Sequence, residues 1–204
     1  MATEPSIDRR DGVNIDKDGL ALYPLAWKDN LSSLSNGRQT GATAPDWETL
    51  TNGISAWSFP PNTMNELWLS FHINHDWAPD TDQFPHIHFC VKDDQVEGVV
   101  RWGIEYTIAK RDTGVFPAST TVYLEPTIPA NDALTHRVVE VSALDAIPAA
   151  ELEVDAVVLV RVFRDGAHAN DTYAGDAFGL FADLHYQSDR DGTINRDSDD
   201  YYGS

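Results

Sequence analysis

Apolar and polar residues alternate along most of the chain after residue 54, which is the pattern of strands with one buried face. The clearest run places Leu67, Leu69, Phe71 and Ile73 on one side. The pattern predicts about eight strands, at residues 54–59, 66–74, 86–92, 98–110, 120–125, 135–142, 152–164 and 177–187. In the last of them, Phe178, Leu180, Leu184 and Tyr186 are expected on the core face. A short helical turn is predicted between residues 142 and 151.

The loops between these strands are too long for simple hairpins, which favours Greek-key connections. We therefore predict an all-β fold, a jelly-roll-like antiparallel β-sandwich of about eight strands. The predicted organisation is an extended N-terminal arm over residues 1–50, a sandwich domain over 51–190 and an acidic flexible C-terminal tail over 191–204. The arm is expected to pack on a surface, since it contains the apolar residues Leu20, Leu22, Tyr23, Leu25 and Trp27.

Composition narrows the choice of partners. The formal net charge is −19, with 33 acidic residues, of which 24 are Asp, and 14 basic residues, of which only 4 are Lys. This balance opposes binding to nucleic acids and to anionic membrane surfaces. An Asp-rich, Lys-poor surface also suggests a saline or halophilic origin, which melting temperatures at low and molar salt would test. No apolar run is long enough to span a membrane, and the first residues do not have the pattern of a signal peptide.

The most informative motif is Pro85-His86-Ile87-His88-Phe89. On a strand, His86 and His88 lie on the same face, where two imidazoles can bind a metal ion or hydrogen-bond to neighbouring carboxylates. His185 or Asp183 could supply a third ligand, and His72 and His75 are further candidates. The single cysteine, Cys90, rules out a disulfide within the chain and is expected to be a small buried residue.

Alternation on the other strands predicts which polar residues lie on the same face as this motif. If the strands share a sheet, one polar face gathers His86, His88, Arg101, Glu105, Arg161, Asp183 and His185. The leading interpretation is a subunit contact, in which paired charges provide specificity. A solvated face and a metal or catalytic site are the alternatives.

Three alternatives remain for His86 and His88: a catalytic metal site, a metal ion on an oligomer axis, and no metal ion. A cupin-like enzyme would use His86 and His88 with either Asp93 or His185, although the glycine context of cupins is missing. An ion on a three-fold axis would take both histidines from each subunit of a trimer. In the third alternative both histidines are only hydrogen-bonded. A glycosidase-like pair of Glu105 and Asp183 carries little weight because carboxylates are so common here.

The chain also resembles small all-β structural proteins of tailed viruses. The resemblance covers roughly residues 66–192 and lies in a series of short motifs: His75-Asp76-Trp77, Thr81-Asp82, Pro85-His86-Ile87-His88, Trp102, Glu105-Tyr106, Arg161 or Arg164, Asp183-Leu184-His185-Tyr186 and Asp191-Gly192. Residues 1–50 are not part of the pattern.

The resemblance implies a virion structural protein and not an enzyme. Such proteins are capsid decoration or cement proteins, head fibres or tail components, and they are commonly homotrimers. It implies contacts with other virion proteins, such as the major capsid or tail proteins, and no required cofactor apart from a possible structural divalent metal. A carbohydrate- or receptor-binding module that uses Trp57 and Trp77 is a further alternative.

Overall fold

The computed structural model describes residues 14–15, 21–22, 25–39, 41–112, 114–193 and 195–196, with only the backbone at 14–15 and 21–22. The described residues form strands with three 3₁₀ turns, at Leu34–Asn36, Gly41–Thr43 and Ala149–Glu151. The strands are β1 Asn14–Ile15, β2 Ala21–Leu22, β3 Ala26–Ser33, β4 Asp46–Thr51, β5 Ile54–Phe59, β6 Met64–His72, β7 Phe84–Val91, β8 Gly98–Val99, β9 Trp102–Ala109, β10 Thr120–Leu124, β11 Thr127–Ile128, β12 Arg137–Glu140, β13 Val157–Asp165 and β14 Ala177–Ser188.

The main strands form two antiparallel sheets that pack face to face. One sheet has the order β10-β9-β13-β6, and the larger one has the order β12-β7-β14-β5-β4, with β3 also paired to β14. Among β5, β6, β7, β9, β10, β12, β13 and β14, numbered one to eight, the orders are 6-3-8-1 and 5-4-7-2. This is the strand order of a jelly roll, so the predicted fold class is confirmed.

The core lies between the sheets and consists of the residues that alternation placed inward. One buried cluster contains Leu67 and Phe71 from β6, Ile104 from β9 and Val160 from β13, together with Ile87 from β7. The helical turn predicted between residues 142 and 151 corresponds to the 3₁₀ turn at Ala149–Glu151. Within the described residues, no helix is long and apolar enough to cross a membrane.

One part of the alternation was predicted wrongly, in β14. A β-bulge between Gly179 and Phe181 adds a residue to the strand, so the side chains before it point to the opposite faces from those expected. Phe178 therefore lies outside the main core, in a small cluster with Ala56 and Cys90. After the bulge, Leu184 faces the main core as predicted.

The boundary at residue 50 does not coincide with the edge of the sandwich. β3 and β4 fall within the predicted arm, yet β3 pairs with β14 and β4 pairs with β5 of the same chain. The turn between β4 and β5 is Asn52-Gly53, with positive φ at both residues, which suits a tight hairpin. The described part of the predicted arm thus extends the larger sheet. Leu20, Tyr23 and residues 197–204 of the predicted tail lie outside the described residues.

Candidate functional site

Three adjacent strands of the larger sheet bring the histidine motif together with carboxylates. Glu140 on β12 lies opposite His86 on β7, and His86 lies opposite Asp183 on β14. His88 follows two residues along β7 and therefore points to the same outer face of the sheet. The sheet pairing explains why residues almost a hundred positions apart meet at one place.

The side chains of His86, His88 and Asp183, here called the triad, converge on one point. The Nε2 atoms of His86 and His88 are 3.1 Å apart. Oδ2 of Asp183 lies 3.2 Å from Nε2 of His86 and 3.3 Å from Nε2 of His88. Three potential metal-ligating atoms therefore form a nearly equilateral triangle.

The triad is covered, although it lies on the outer face of its sheet. His86 is 1% exposed and Asp183 is 3% exposed. His88 is its most open member, with 21% of its side chain exposed. Burial lowers the pKa of His86, but the hydrogen bond and charge of Asp183 outweigh burial and leave this pKa raised. Burial lowers the pKa of His88, and the neighbouring His86 and His136 add to that decrease.

A second layer of polar side chains surrounds the triad. The ring of His185 packs against that of His86, with centroids 4.0 Å apart. His185 is held by Glu140 through Nδ1 and by Asp29 through Nε2, the latter at 2.6 Å. On the other side, Nδ1 of His88 lies 2.8 Å from Nε2 of His136.

Sequence reasoning missed three members of this layer: Asp29, His136 and Glu140. The signal for two of them was present, since His136 and Glu140 share one face in the alternation of residues 135–142. Asp29 gave no such signal, because it belongs to a segment without clear alternation that was predicted to be an arm.

The predicted single polar face is divided between the two sheets. Arg161 on β13 and Glu105 on β9 lie on the outer face of the smaller sheet, where Nη1 of Arg161 donates to Glu105 at 2.8 Å. Arg161 also binds Glu66 of β6 through Nε. Arg101, next to this sheet, pairs with Asp165 at 3.3 Å. The prediction that all seven residues share one face is therefore wrong, because β9 and β13 lie in the other layer of the sandwich.

The buried positions also bear on how these residues could meet a second subunit. His86 and Asp183 are covered by their own chain, so neither presents a surface to another subunit. The same burial argues against an ion on a three-fold axis, because such a site needs both histidines at the surface. The other five residues, His88, Arg101, Glu105, Arg161 and His185, are partly exposed and remain candidates for a subunit contact.

The other candidate ligands lie elsewhere. Asp93 is exposed, and it belongs neither to the triad nor to the second group of potential metal ligands among the described residues, which consists of Asp29, His86 and His185. His72 and His75 each contact Asp155 at 2.9 Å, away from the triad. Glu105 and Asp183 lie on different sheets, so they do not form a glycosidase-like pair.

The tryptophans proposed for carbohydrate binding are not the exposed ones. Trp77 is buried, and its indole N–H donates to the carbonyl of Thr81 at 3.1 Å. Trp57 is half-buried and packs edge-on against Trp47, with ring centroids 4.7 Å apart. The exposed tryptophans of the described chain are Trp27, Trp47 and Trp68, which lie on three different strands.

Comparison with known proteins adds little to this geometry. No family model and no curated protein matches the chain. Among solved structures, dimeric latent PorU from Porphyromonas gingivalis matches with a TM-score of 0.37 and 14% sequence identity over 92% of the chain. The chain spans 15% of that protein's chain. A likeness this distant does not support an inference about function.

Proposed function

We propose that this protein is a structural component of a tailed-virus particle, a capsid-surface decoration or accessory protein that acts through contacts between its own copies and with other virion proteins. The motif resemblance over residues 66–192 supports this role. The jelly roll is compatible with it, but the same fold also occurs in lectins and cupins, so the fold alone does not choose among them.

The observation that carries the proposal is an exposed apolar stripe on the smaller sheet. Trp68 on β6, Val157 and Leu159 on β13 and Tyr123 on β10 lie on its outer face, each at least a third exposed. Arg161 lies in the middle of these residues. Several large apolar side chains exposed on one face of a sheet indicate a protein contact. In a chain with a net charge of −19, such a surface is more easily explained as a contact than as solvated surface.

The proposed occupant of this stripe is a second copy of the chain. Soluble oligomers are mostly symmetric assemblies of identical chains. The proposal extends to a homotrimer, which is the state that the resemblance implies. It requires no catalytic group, no cofactor and no nucleic acid, and it places the protein in the virion.

The first test is the mass of the purified full chain, measured by light scattering during gel filtration. A trimer has three times the chain mass of 22.6 kDa, which is about 68 kDa. Leu159→Lys should shift the mass toward that of the monomer, because it buries a charge in the contact. The control is Leu144→Lys, since Leu144 is 96% exposed and lies on a loop outside the strands of the smaller sheet. A wild-type monomer at all concentrations would contradict the proposal.

The second test addresses the particle itself. Purified virions whose genome encodes this chain should show it by mass spectrometry, and electron microscopy should locate a jelly-roll density on the particle surface. Absence of the chain from purified particles would remove the virion role, whatever its mass in solution.

The cupin-like enzyme remains the rival with one supporting observation, the triad itself. A catalytic metal needs an open coordination position that substrate can reach. Two of the three triad residues are almost completely buried, and only His88 leads to solvent. The geometry therefore favours a structural over a catalytic use of these residues.

A further inference from the structure

We propose that His86, His88 and Asp183 bind one divalent transition-metal ion, with Zn²⁺ as the representative, and that this ion is structural and ties β7 to β14 within a single chain. The site is independent of the virion role proposed above, since it lies on the other sheet from the apolar stripe.

The spacing of the three ligand atoms fits an ion. With metal–ligand distances of about 2.0–2.2 Å, neighbouring ligands lie about 3.3–3.6 Å apart in a tetrahedral site and about 2.8–3.1 Å apart in an octahedral one. The observed separations are 3.1, 3.2 and 3.3 Å. An ion about 1 Å above the plane of the triangle would bind all three atoms without moving the strands.

The ring of His86 is oriented so that Nε2, and not Nδ1, enters the site. Nδ1 of His86 lies 3.4 Å from the carbonyl oxygen of Phe84. Nε2 lies 3.2 Å from Oδ2 of Asp183 and 3.1 Å from Nε2 of His88. Without an ion, a proton on Nε2 forms the hydrogen bond to Asp183. An ion bound at this point takes the place of that proton, because metal binding to imidazole requires the nitrogen to be deprotonated.

The surroundings of each ligand match those of metal-bound histidines. Such histidines donate their second ring N–H to a carbonyl, a carboxylate or another acceptor, which sets the orientation of the ring. His86 does so to Phe84, and His88 is oriented by His136. His185, fixed between Asp29 and Glu140, packs on the His86 ring and limits its rotation.

A second, independent observation is an unpartnered oxygen. Oδ1 of Asp183 is buried and has no hydrogen-bond partner among the described residues. Asp183 as a whole is 3% exposed. Buried polar atoms without a partner are rare and need an explanation. An ion bound at Oδ2 supplies one, because Oδ1 could then share the ion or accept a hydrogen bond from a water molecule on it.

The ligand set selects the class of ion. Two imidazole nitrogens and one carboxylate oxygen suit Zn²⁺ and other first-row divalent ions. Ca²⁺ and Mg²⁺ prefer oxygen ligands throughout, so they should not compete at this site. Because all three ligands come from one chain, the expected stoichiometry is one ion per chain.

The test is Zn²⁺ binding by the full chain after removal of metal, measured by competition with a chromophoric chelator. We expect one Zn²⁺ per chain and a loss of more than about 100-fold in affinity for His88→Asn, since even changes to the outer layer of a metal site cost 10–100-fold. Asp183→Asn should have a similar effect. The control is His168→Asn, an exposed histidine outside the cluster, which should change affinity by less than about twofold.

Further readouts separate loss of the site from loss of the fold. His88 is the most exposed ligand, so His88→Asn should keep the far-ultraviolet circular dichroism spectrum of the wild type. Zn²⁺ should raise the melting temperature of the wild type and not that of His88→Asn. Uptake below a tenth of an ion per chain, one ion per three chains, equal affinity in His88→Asn, or displacement by millimolar Ca²⁺ would each overturn the proposal.

Discussion

Replacing Arg164 by Met should remove five hydrogen bonds that one buried guanidinium donates. Arg164 is 0% exposed at the end of β13. Its guanidinium donates to both carboxylate oxygens of Asp171, at 2.9 and 2.7 Å. It also donates to the carbonyls of Phe59 and Gly175 at 2.8 Å and of Tyr173 at 2.7 Å. One side chain thus ties β5 and β13 to the loop that leads into β14.

The expected cost follows from what Arg164→Met leaves behind. Methionine fills much of the volume, so the loss comes mainly from the Asp171 carboxylate, which is 1% exposed, and from three carbonyls without their donor. Breaking a buried ion pair by removing one partner typically costs about 3–5 kcal/mol. In a protein of this size, each kcal/mol lowers the melting temperature by roughly 2–4 °C, which gives a decrease of roughly 6 to 20 °C.

Urea denaturation and thermal melting of the wild type and of Arg164→Met measure this effect. The control is Arg38→Met, because Arg38 is exposed and its replacement should change the free energy of unfolding by less than about 0.5 kcal/mol. In the double variant with Asp171→Asn, the loss should be smaller than the sum of the two single losses, since no charge is left unpaired. A loss below about 1 kcal/mol for Arg164→Met would refute the reasoning.

Two further predictions follow from shifted pKa values. Hydrogen bonds from Ser119 and Arg161 lower the pKa of Glu105, so its carboxylate stabilises the fold above its unfolded pKa and this stability is lost as pH falls through the folded pKa. Glu105→Gln should therefore cost about 1 kcal/mol in urea denaturation at pH 7, and the cost should decrease as pH falls through the folded pKa of Glu105; a cost that does not change with pH would contradict this sign. Burial raises the pKa of Cys90 to about 11, so a thiol reagent at pH 8 should label the native chain far more slowly than the urea-unfolded chain, and equal rates would show that the thiol is accessible.

The alternation of the sequence was sufficient for most of the fold. Each of the eight predicted strands corresponds to a strand of the jelly roll, because burial on one face imposes a period of two on each of them. The bulge in β14 was not predictable from the sequence. The residues before it and after it are both apolar, and the shift in register is visible only in the pairing of β14 with β7. The short apolar stretches of the predicted arm show no clear alternation, so the sequence did not predict β3 and β4 as strands. Their positions depend on the pairing of β3 with β14 and of β4 with β5.

The candidate site was predicted in part. His86 and His88 could be placed on one face from their spacing alone, and Asp183 could be named as a possible partner. The sequence could not separate this group from Arg101, Glu105 and Arg161, because alternation assigns a side to each strand and does not say which sheet contains it. The division into two faces is a property of strand order.

By itself, the sequence determined the all-β class, the strands and the pair of imidazoles on one face, since these depend on local periodicity. The tertiary structure decided which carboxylate meets that pair. Asp183 lies almost a hundred residues further along the chain, and only the antiparallel pairing of β14 with β7 places it opposite His86. The structure also decided that this group is buried and that the smaller sheet exposes an apolar stripe. Both depend on which layers and strands cover a residue, and therefore on contacts between distant parts of the chain.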